Sequence, residues 1–230
     1  MDDIPSHDLI KKAVRRFWGH QAKVLIRPNS SSAAISLEWA EGYGSDYISL
    51  PAEIVASSFG CGNPLSYITL HHGDIVIDLG CGSGLDVILA SQQVGPEGMV
   101  VGIDFAPEML ALAQRYVNML RINNVKFILA DIENLPLQDG FADIVSSNSV
   151  IYMVPDKKQA LAEAYRILKP GGTFVVADMI SHGELPPQLH GDVRKWASWF
   201  AGAEIEGKYC ELLKSVGFKY TTFYTTKRVM

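Results

Sequence analysis

The chain has 230 residues, 48% of them hydrophobic, and a formal charge of -5. That is enough apolar material for a large globular core, and too little clustered positive charge to make a nucleic-acid backbone the expected partner. Its densest basic patch, KKAVRR at residues 11–16, reads as the solvated face of a helix. No apolar run approaches the roughly 18 residues of a membrane span, and the acidic opening MDDIPSHD is unlike a secretory leader. Cys61, Cys81 and Cys210 are far apart and lack C-x-x-C spacing, while His71 and His72 are adjacent rather than at helical spacing. The expectation is a cytoplasmic protein, monomer or homodimer, with no metal, no nucleic acid and no membrane among its partners.

In chain order, residues 8–18 read as an amphipathic helix, followed by the polar loop RPNSSS and the Gly/Pro-rich FGCGNP. IVIDL (75–79), bounded by Gly73 and Gly80, is a buried strand, and LDVILASQQV a helix stopped by Gly95 and Pro96. MVVGID (99–104) is the second strand. In APEMLALAQRYVNMLR, Pro107 suits a first helical turn, and Met109, Ala113, Tyr116 and Leu120 form one buried stripe. VKFILAD (125–131) and ADIVSSN (142–148) are the third and fourth strands. Asp156 with Gln159 has the form of a capping box opening KKQALAEAYRILK, whose Ala160, Leu161, Ala164, Tyr165 and Leu168 face inward. KPGG offers a glycine for a left-handed cap, TFVVAD (173–178) is the fifth strand, and EIEGKYCELLKSV (204–216) the last helix.

Alternation of strand and helix from Ile75 onward gives an α/β fold with a mostly parallel sheet and crossover helices. Residues 1–72 form an N-terminal extension or cap. Residues 73–230 form the main domain, with an inserted cap at 179–203 rich in Pro and Trp. Extensions of this kind lie over the carboxyl ends of the strands, where ligands bind.

GCGSG places glycines at 80, 82 and 84 directly after the first strand. A dinucleotide fingerprint needs its third glycine at 85, which is Leu85, and there is no G-x-x-x-x-G-K-[ST] for a triphosphate. The bend therefore suits a cofactor that needs close backbone approach without phosphate anchors. Asp104 ends the second strand 20 residues after Gly84, a spacing at which a carboxylate can accept both ribose hydroxyls of an adenosine; a helix N-cap is the alternative. Asp131 ends the third strand and is placed either to accept from an adenine amino group or simply to close a turn.

VIDLGCGSGLD, VVGIDFAPEML, ADIENLPL and ILKPGGTFVVAD together resemble the successive motifs of class I S-adenosylmethionine-dependent methyltransferases. The resemblance implies a Rossmann-like three-layer sandwich with a reversed strand near the end, although GFKYTTFYTTKRVM leaves little room for both closing strands. It implies that Asp78, Gly80, Cys81, Gly82 and Gly84 hold the methionine end of S-adenosyl-L-methionine. Asp104 would take the ribose hydroxyls, Phe105 would lie beside the adenine, and Asp131 and Ile132 would meet its amino group and ring. The SSNSV segment, with Ser147, Asn148 and Ser149, would sit near the sulfonium and a small-molecule methyl acceptor.

Within that superfamily, FGCGNP, SSNSVIYMVPDKKQALAEAYRILKPGG and ELPPQLHGDVRKWASWFAGAEIEGKYCELLKSVGF resemble the arsenite methyltransferases. Family members hold trivalent arsenic on three cysteine thiolates, soft ligands for a soft acceptor. Cys61 matches the first position, Ser149 stands at the second and Trp199 at the third. The resemblance thus implies a methyltransferase that is not an efficient arsenite methylase, with Cys61 either structural or a lone ligand. Trp196 and Trp199 are candidates for an apolar or cation-binding wall of the acceptor pocket, or for core packing. Residual metalloid methylation and a non-catalytic S-adenosylmethionine sensor remain alternative readings.

Overall fold

The computed structural model describes residues 5–25, 43, 49–186, 189, 191–198 and 200–224. After helix α1 (His7–Leu25) and the short α2 (Ala52–Val55), the elements alternate: β1 (Ile75–Leu79), α3 (Leu85–Val94), β2 (Met99–Asp104), α4 (Pro107–Met119), β3 (Val125–Leu129) and β4 (Ala142–Asn148). Then come α5 (Lys157–Ile167), β5 (Leu168–Ala177), β6 (Ile180–Ser181), α6 (Val193–Ser198), β7 (Glu204–Ile205) and α7 (Glu206–Val216). β1 to β5 form one parallel sheet in the order β3-β2-β1-β4-β5. The chain leaves β1 toward one edge through β2 and β3, then returns to the other side through β4 and β5. The crevice at that switch point, beyond the carboxyl ends of β1 and β4, is where open α/β sheets bind ligands.

Both faces of the sheet are covered, so its strands read as nearly continuous apolar runs. Val76 and Val100 point into the layer made by α2, α3 and α4. Their neighbours Ile77, Leu79, Val101 and Ile103 point the other way, against α5 and α7, as the two-residue period of a strand requires. Ile77, Leu79 and Ile103 are fully buried, and truncating one of them to Ala costs about 2–5 kcal/mol through the cavity left behind.

Several local expectations need correction. α1 runs from His7 to Leu25 rather than over 8–18, because Ile10, Val14 and Ala22 continue its buried stripe. The basic patch on that helix is not merely a solvated face, since Lys11 pairs with Asp131 and Glu133. Tyr165 is 43% exposed while Ile167 is fully buried: at 100° per residue Tyr165 falls outside the inward stripe. α5 passes straight into β5 at an extended Leu168, so no glycine caps it; Gly171, at φ +84°, turns the chain within β5.

Asp156 does cap α5, accepting from Gln159 N at 3.0 Å. The reciprocal half of the capping box comes from elsewhere, because the Asp156 N–H donates to Glu133 Oε1 at 3.2 Å.

The reversed closing strand implied by the methyltransferase resemblance is not found among the described residues. After α7, Phe218–Tyr224 form no strand. The segment 179–203 contributes β6 and α6, and α6 meets α1 in a cluster that includes Ile10, Val14, Tyr152, Met153, Trp196 and Ala197. The two regions outside the alternating pattern therefore pack on each other along the rim of the crevice.

Candidate functional site

The glycines after β1 form a left-handed bend, with φ of +70°, +51° and +89° at Gly80, Gly82 and Gly84. The N–H groups of Gly80 and Cys81 donate to the Ile103 carbonyl at 2.7 and 2.9 Å, tying the bend to the end of β2. A Cβ on Gly80 would lie 2.3 Å from Val150 Cγ2, whereas one on Gly82 would meet nothing within 4 Å. Gly82 therefore bares backbone to open space, which is what close approach of a ligand requires.

Asp104, 8% exposed, closes β2 beside this bend. Its Oδ2 accepts from Gly82 N at 3.0 Å and its Oδ1 from Ala106 N at 2.8 Å. The N-cap of α4 is Ala106, so Asp104 braces the bend rather than capping the helix. Burial pushes its pKa up to about 6, against the pull of the N–H groups of Ala106, Gly82 and Phe105.

These residues open onto a cleft, the concave kind of site in which small molecules bind. Asp78, Gly80, Cys81, Gly82, Asp104, Phe105, Asp131, Ile132, Asn148 and Ser149 all line it. Gly84 stands back as the left-handed N-cap of α3, and Ser147 is buried with its hydroxyl donating to the Leu79 carbonyl at 3.3 Å. Cys61 lies just behind the wall, its N–H donating to Asn148 Oδ1 at 2.9 Å. Trp196 is buried away from the cleft, donating from Nε1 to the Met153 carbonyl at 2.8 Å. Trp199 lies outside the described residues.

Charge in the cleft is one-sided. Among the described residues, Asp78, Asp86, Asp104, Asp131 and Glu133 line it against a single cation, Lys11. Burial and the neighbouring Asp86 charge push the Asp78 carboxyl well above its ordinary range. Asp86 is raised by burial as well, opposed by hydrogen bonds with Asn148 and Tyr43, and its buried Oδ1 has no hydrogen-bond partner. A ligand carrying positive charge fits this lining, because it would offset several desolvated carboxylates at once.

Sequence reasoning missed the contribution of α1. Lys11, Val14 and Trp18 line the cleft from above, and Lys11 Nζ lies 2.7 Å from Asp131 Oδ2. Their i, i+3, i+7 spacing marks one helical face, but nothing local says what that face covers. Phe59, Asp86, Glu133 and Met153 were likewise unforeseen; Asp86, two residues past the glycine bend, was the most legible of them.

A parallel sheet of this order, with a glycine bend after β1 and a carboxylate closing β2, defines the cofactor half of a class I S-adenosylmethionine-dependent methyltransferase. A family profile described as "Methyltransferase domain" matches residues 70–217, and the chain belongs to that family. It is 34% identical over 178 residues to the arsenite methyltransferase of Halobacterium salinarum, covering 77% of this chain and 46% of the relative. To the human arsenite methyltransferase it is 35% identical over 176 residues, covering 72% and 46%. Among solved structures it superposes with TM-score 0.69, at 34% identity, on an arsenic(III) S-adenosylmethionine methyltransferase from Chlamydomonas reinhardtii, covering 76% of this chain and 60% of that one. The chain thus spans about half the length of the curated relatives it matches. Among the described residues no helix is long and apolar enough to cross a membrane.

Proposed function

We propose that this chain transfers a methyl group from S-adenosylmethionine to a small organic acceptor and is not an efficient arsenite methylase. The cofactor half of the reading is carried by Asp104: a buried carboxylate hydrogen-bonded to the glycine bend and opening onto an acidic cleft. In this reading Asp104 accepts from the ribose hydroxyls, and Phe105 and Ile132 flank the adenine. Asp131, held by Lys11, faces the adenine amino group. Asp78 and the backbone from Gly80 to Gly84 receive the methionyl end. The domain division follows the same lines: residues 73–230 carry the cofactor site, while 1–72 and 179–203 cover it.

When bound, the cofactor supplies an activated methyl group on a positive sulfur, so the chain's own task is to orient the acceptor and exclude water. α1 covers the cleft from above, with α6 packed against it. The acceptor side begins at Asn148 and Ser149, where β4 ends.

Against arsenite stands the chemistry at Cys61. Burial, together with the Asp178 charge, pushes its thiol up to about 12, so the thiolate that a metalloid needs is disfavoured at neutral pH. Ser149 beside it brings a hard hydroxyl where the resembling family carries a cysteine. The test is turnover of S-adenosylmethionine to S-adenosylhomocysteine with a pool of small organic acceptors, with arsenite in a parallel arm. Turnover with the organic pool and little with arsenite supports the reading. Arsenite turnover equal to that of a three-cysteine relative overturns its second half, and cofactor binding without turnover on any acceptor overturns it in favour of a sensor.

A further inference from the structure

The carboxylates that line the cleft differ in what holds them. Lys11 takes one oxygen each of Asp131 and Glu133, whose other oxygens accept from the N–H groups of Glu133 and Asp156 at 3.0 and 3.2 Å. Asp104 has an N–H donor on each oxygen. The lining's one cation among the described residues is therefore engaged at the β3 end of the cleft.

Asp78 and Asp86 are left with neutral partners. Asp78, on β1, accepts from the Ser146 hydroxyl at 2.8 Å. Asp86, in the first turn of α3, accepts from Asn148 Nδ2 on its Oδ2 at 2.9 Å, while its buried Oδ1 has no hydrogen-bond partner. None of the ion pairs among the described residues involves either group. Two desolvated carboxylates within reach of each other's charge and without a cation are costly to keep ionised. A positive ligand in the cleft lowers that cost, whereas a neutral one of the same shape does not.

Resting on the methyl-transfer reading above, we infer that Asp86, backed by Asp78, makes the cleft select the positively charged, methyl-carrying form of the cofactor over its demethylated product. The two forms share the adenosine and the methionyl amino and carboxyl groups, and differ by one methyl and one unit of charge on sulfur. In this reading Asp104, Asp131 and the glycine bend meet the same atoms in both. The uncompensated charge of Asp86 and Asp78 is what tells the two apart, because specificity is a difference between two affinities. Both carboxylates lose an attractive interaction once the methyl is bonded to the acceptor and the C–S electron pair has stayed on sulfur. Their hold on the product is then weaker, which favours its release, a step that limits turnover in many enzymes.

Titration of the pair agrees with its setting. Burial, then the Asp86 charge, pushes Asp78 well above the ordinary carboxylate range, with Asp104 adding to the rise and the Ser146 hydroxyl opposing it. Burial raises Asp86 as well, opposed by Asn148 and Tyr43. The groups facing the pair from neighbouring segments supply no positive charge: Ser146 and Asn148 are neutral, and burial raises Tyr43, Cys61 and Cys81. Falling pH neutralises the pair, so the preference for the positive form should shrink. Asp104, at about 6, meets the ribose of both forms in this reading and drops out of the ratio.

The experiment is calorimetry on the full chain at pH 7.5 and 5.5 with three ligands: S-adenosylmethionine, S-adenosylhomocysteine, and sinefungin, which carries an ammonium where the sulfonium stands. The proposal expects both positive ligands to bind about tenfold more tightly than S-adenosylhomocysteine at pH 7.5, and the ratio to narrow at pH 5.5. Asp86→Asn keeps an acceptor for Asn148 but removes the charge. It should weaken the two positive ligands about fivefold and leave S-adenosylhomocysteine within twofold, whereas a residue that only shapes the loop would move all three alike. The proposal is overturned by S-adenosylhomocysteine binding as tightly as the positive pair, by a ratio equal at the two pH values, or by Asp86→Asn weakening all three alike or none. Should that variant fail to fold, the two wild-type ratios decide. Wild-type protein that binds none of the three overturns the methyl-transfer reading itself, a failure distinct from loss of the preference.

Discussion

Lys11 of the N-terminal helix reaches Asp131 at the carboxyl end of the third strand across 2.7 Å, and the same ammonium bonds Glu133. The pair pins α1 over the part of the cleft lined by Asp131 and Ile132 and keeps Asp131 oriented as a hydrogen-bond acceptor. Both side chains are partly exposed, at 28% and 37%, so solvent screening limits the bridge to about 0.5–1 kcal/mol. Lys11→Ala should therefore weaken S-adenosylhomocysteine binding about two- to fivefold and speed proteolysis within α1. Calorimetry and timed digestion measure the two effects, and unchanged affinity with unchanged digestion would detach the helix from the site.

The Asp104 carboxyl, raised to about 6 by burial, gives cofactor binding a pH dependence of definite sign. In the reading proposed above, ribose hydroxyls donate to Asp104 and need its ionised form, so affinity should fall as pH drops through about 6, by at most about tenfold per unit. Stability of the ligand-free protein runs the other way. Because the folded pKa lies above the unfolded one, the folded state binds more protons between about pH 4 and 6, and the stability from this group is lost as pH rises across that window. The size is about 3 kcal/mol. Asp104→Asn should flatten both curves and weaken binding by about 1–3 kcal/mol. Calorimetry at pH 5 and 7.5, with thermal melts across the same range, checks both.

Two neighbouring glycines should respond oppositely to the same methyl group. Gly80 to Ala sets a Cβ 2.3 Å from Val150 in a backbone already at φ +70°, so strain and clash together should lower the melting temperature by several degrees. Gly82 to Ala meets nothing within 4 Å; its fold should lose only the left-handed penalty, about 1–2 kcal/mol, while its methyl stands in the cleft. The expected pattern is a marked loss of S-adenosylhomocysteine affinity in Gly82→Ala from a protein that still melts cooperatively. Full affinity in that variant would show that no ligand approaches this backbone.

What the sequence made legible is what local chemistry specifies. β1, α3, β2 and β4 begin and end at the residues expected because glycine, proline and the apolar period mark them. Asp104 could be singled out because a strand end and a fixed spacing from the glycine bend place it. Long-range partners were not legible. No local signal ties Lys11 to Asp131, or lets Glu133 complete the cap of α5. Asp178 stayed hidden because its setting depends on the β4–β5 register and on Tyr209 from a later helix. Trp196 read equally as a pocket wall or as core packing, and the Met153 carbonyl that takes its indole N–H is again a partner that no local signal names.

Asn148 is the junction where the strand end, the α3 start and the loop before β1 meet. Its Oδ1 accepts from Cys61 N at 2.9 Å, and its Nδ2 lies within 2.9 Å of Tyr43 Oη, the Gly62 carbonyl and Asp86 Oδ2. An amide nitrogen has two hydrogens, so at most two of those three acceptors are served at once. Asn148→Ala should leave the Asp86 carboxylate one donor short and the Cys61 N–H unsatisfied, costing about 2–4 kcal/mol and weakening cofactor binding as the loop loosens. Asn148→Asp keeps the shape but replaces the donor with an acceptor facing Asp86, placing two carboxylates in contact, and should be the worse of the two at neutral pH. Because protonating one carboxyl restores a donor, the Asp variant should gain stability relative to the Ala variant as pH falls toward 5. Chemical denaturation of both variants at pH 5 and pH 7.5 decides it, and an Asp variant as stable as wild type at pH 7.5 would remove Asn148 from its place at the junction.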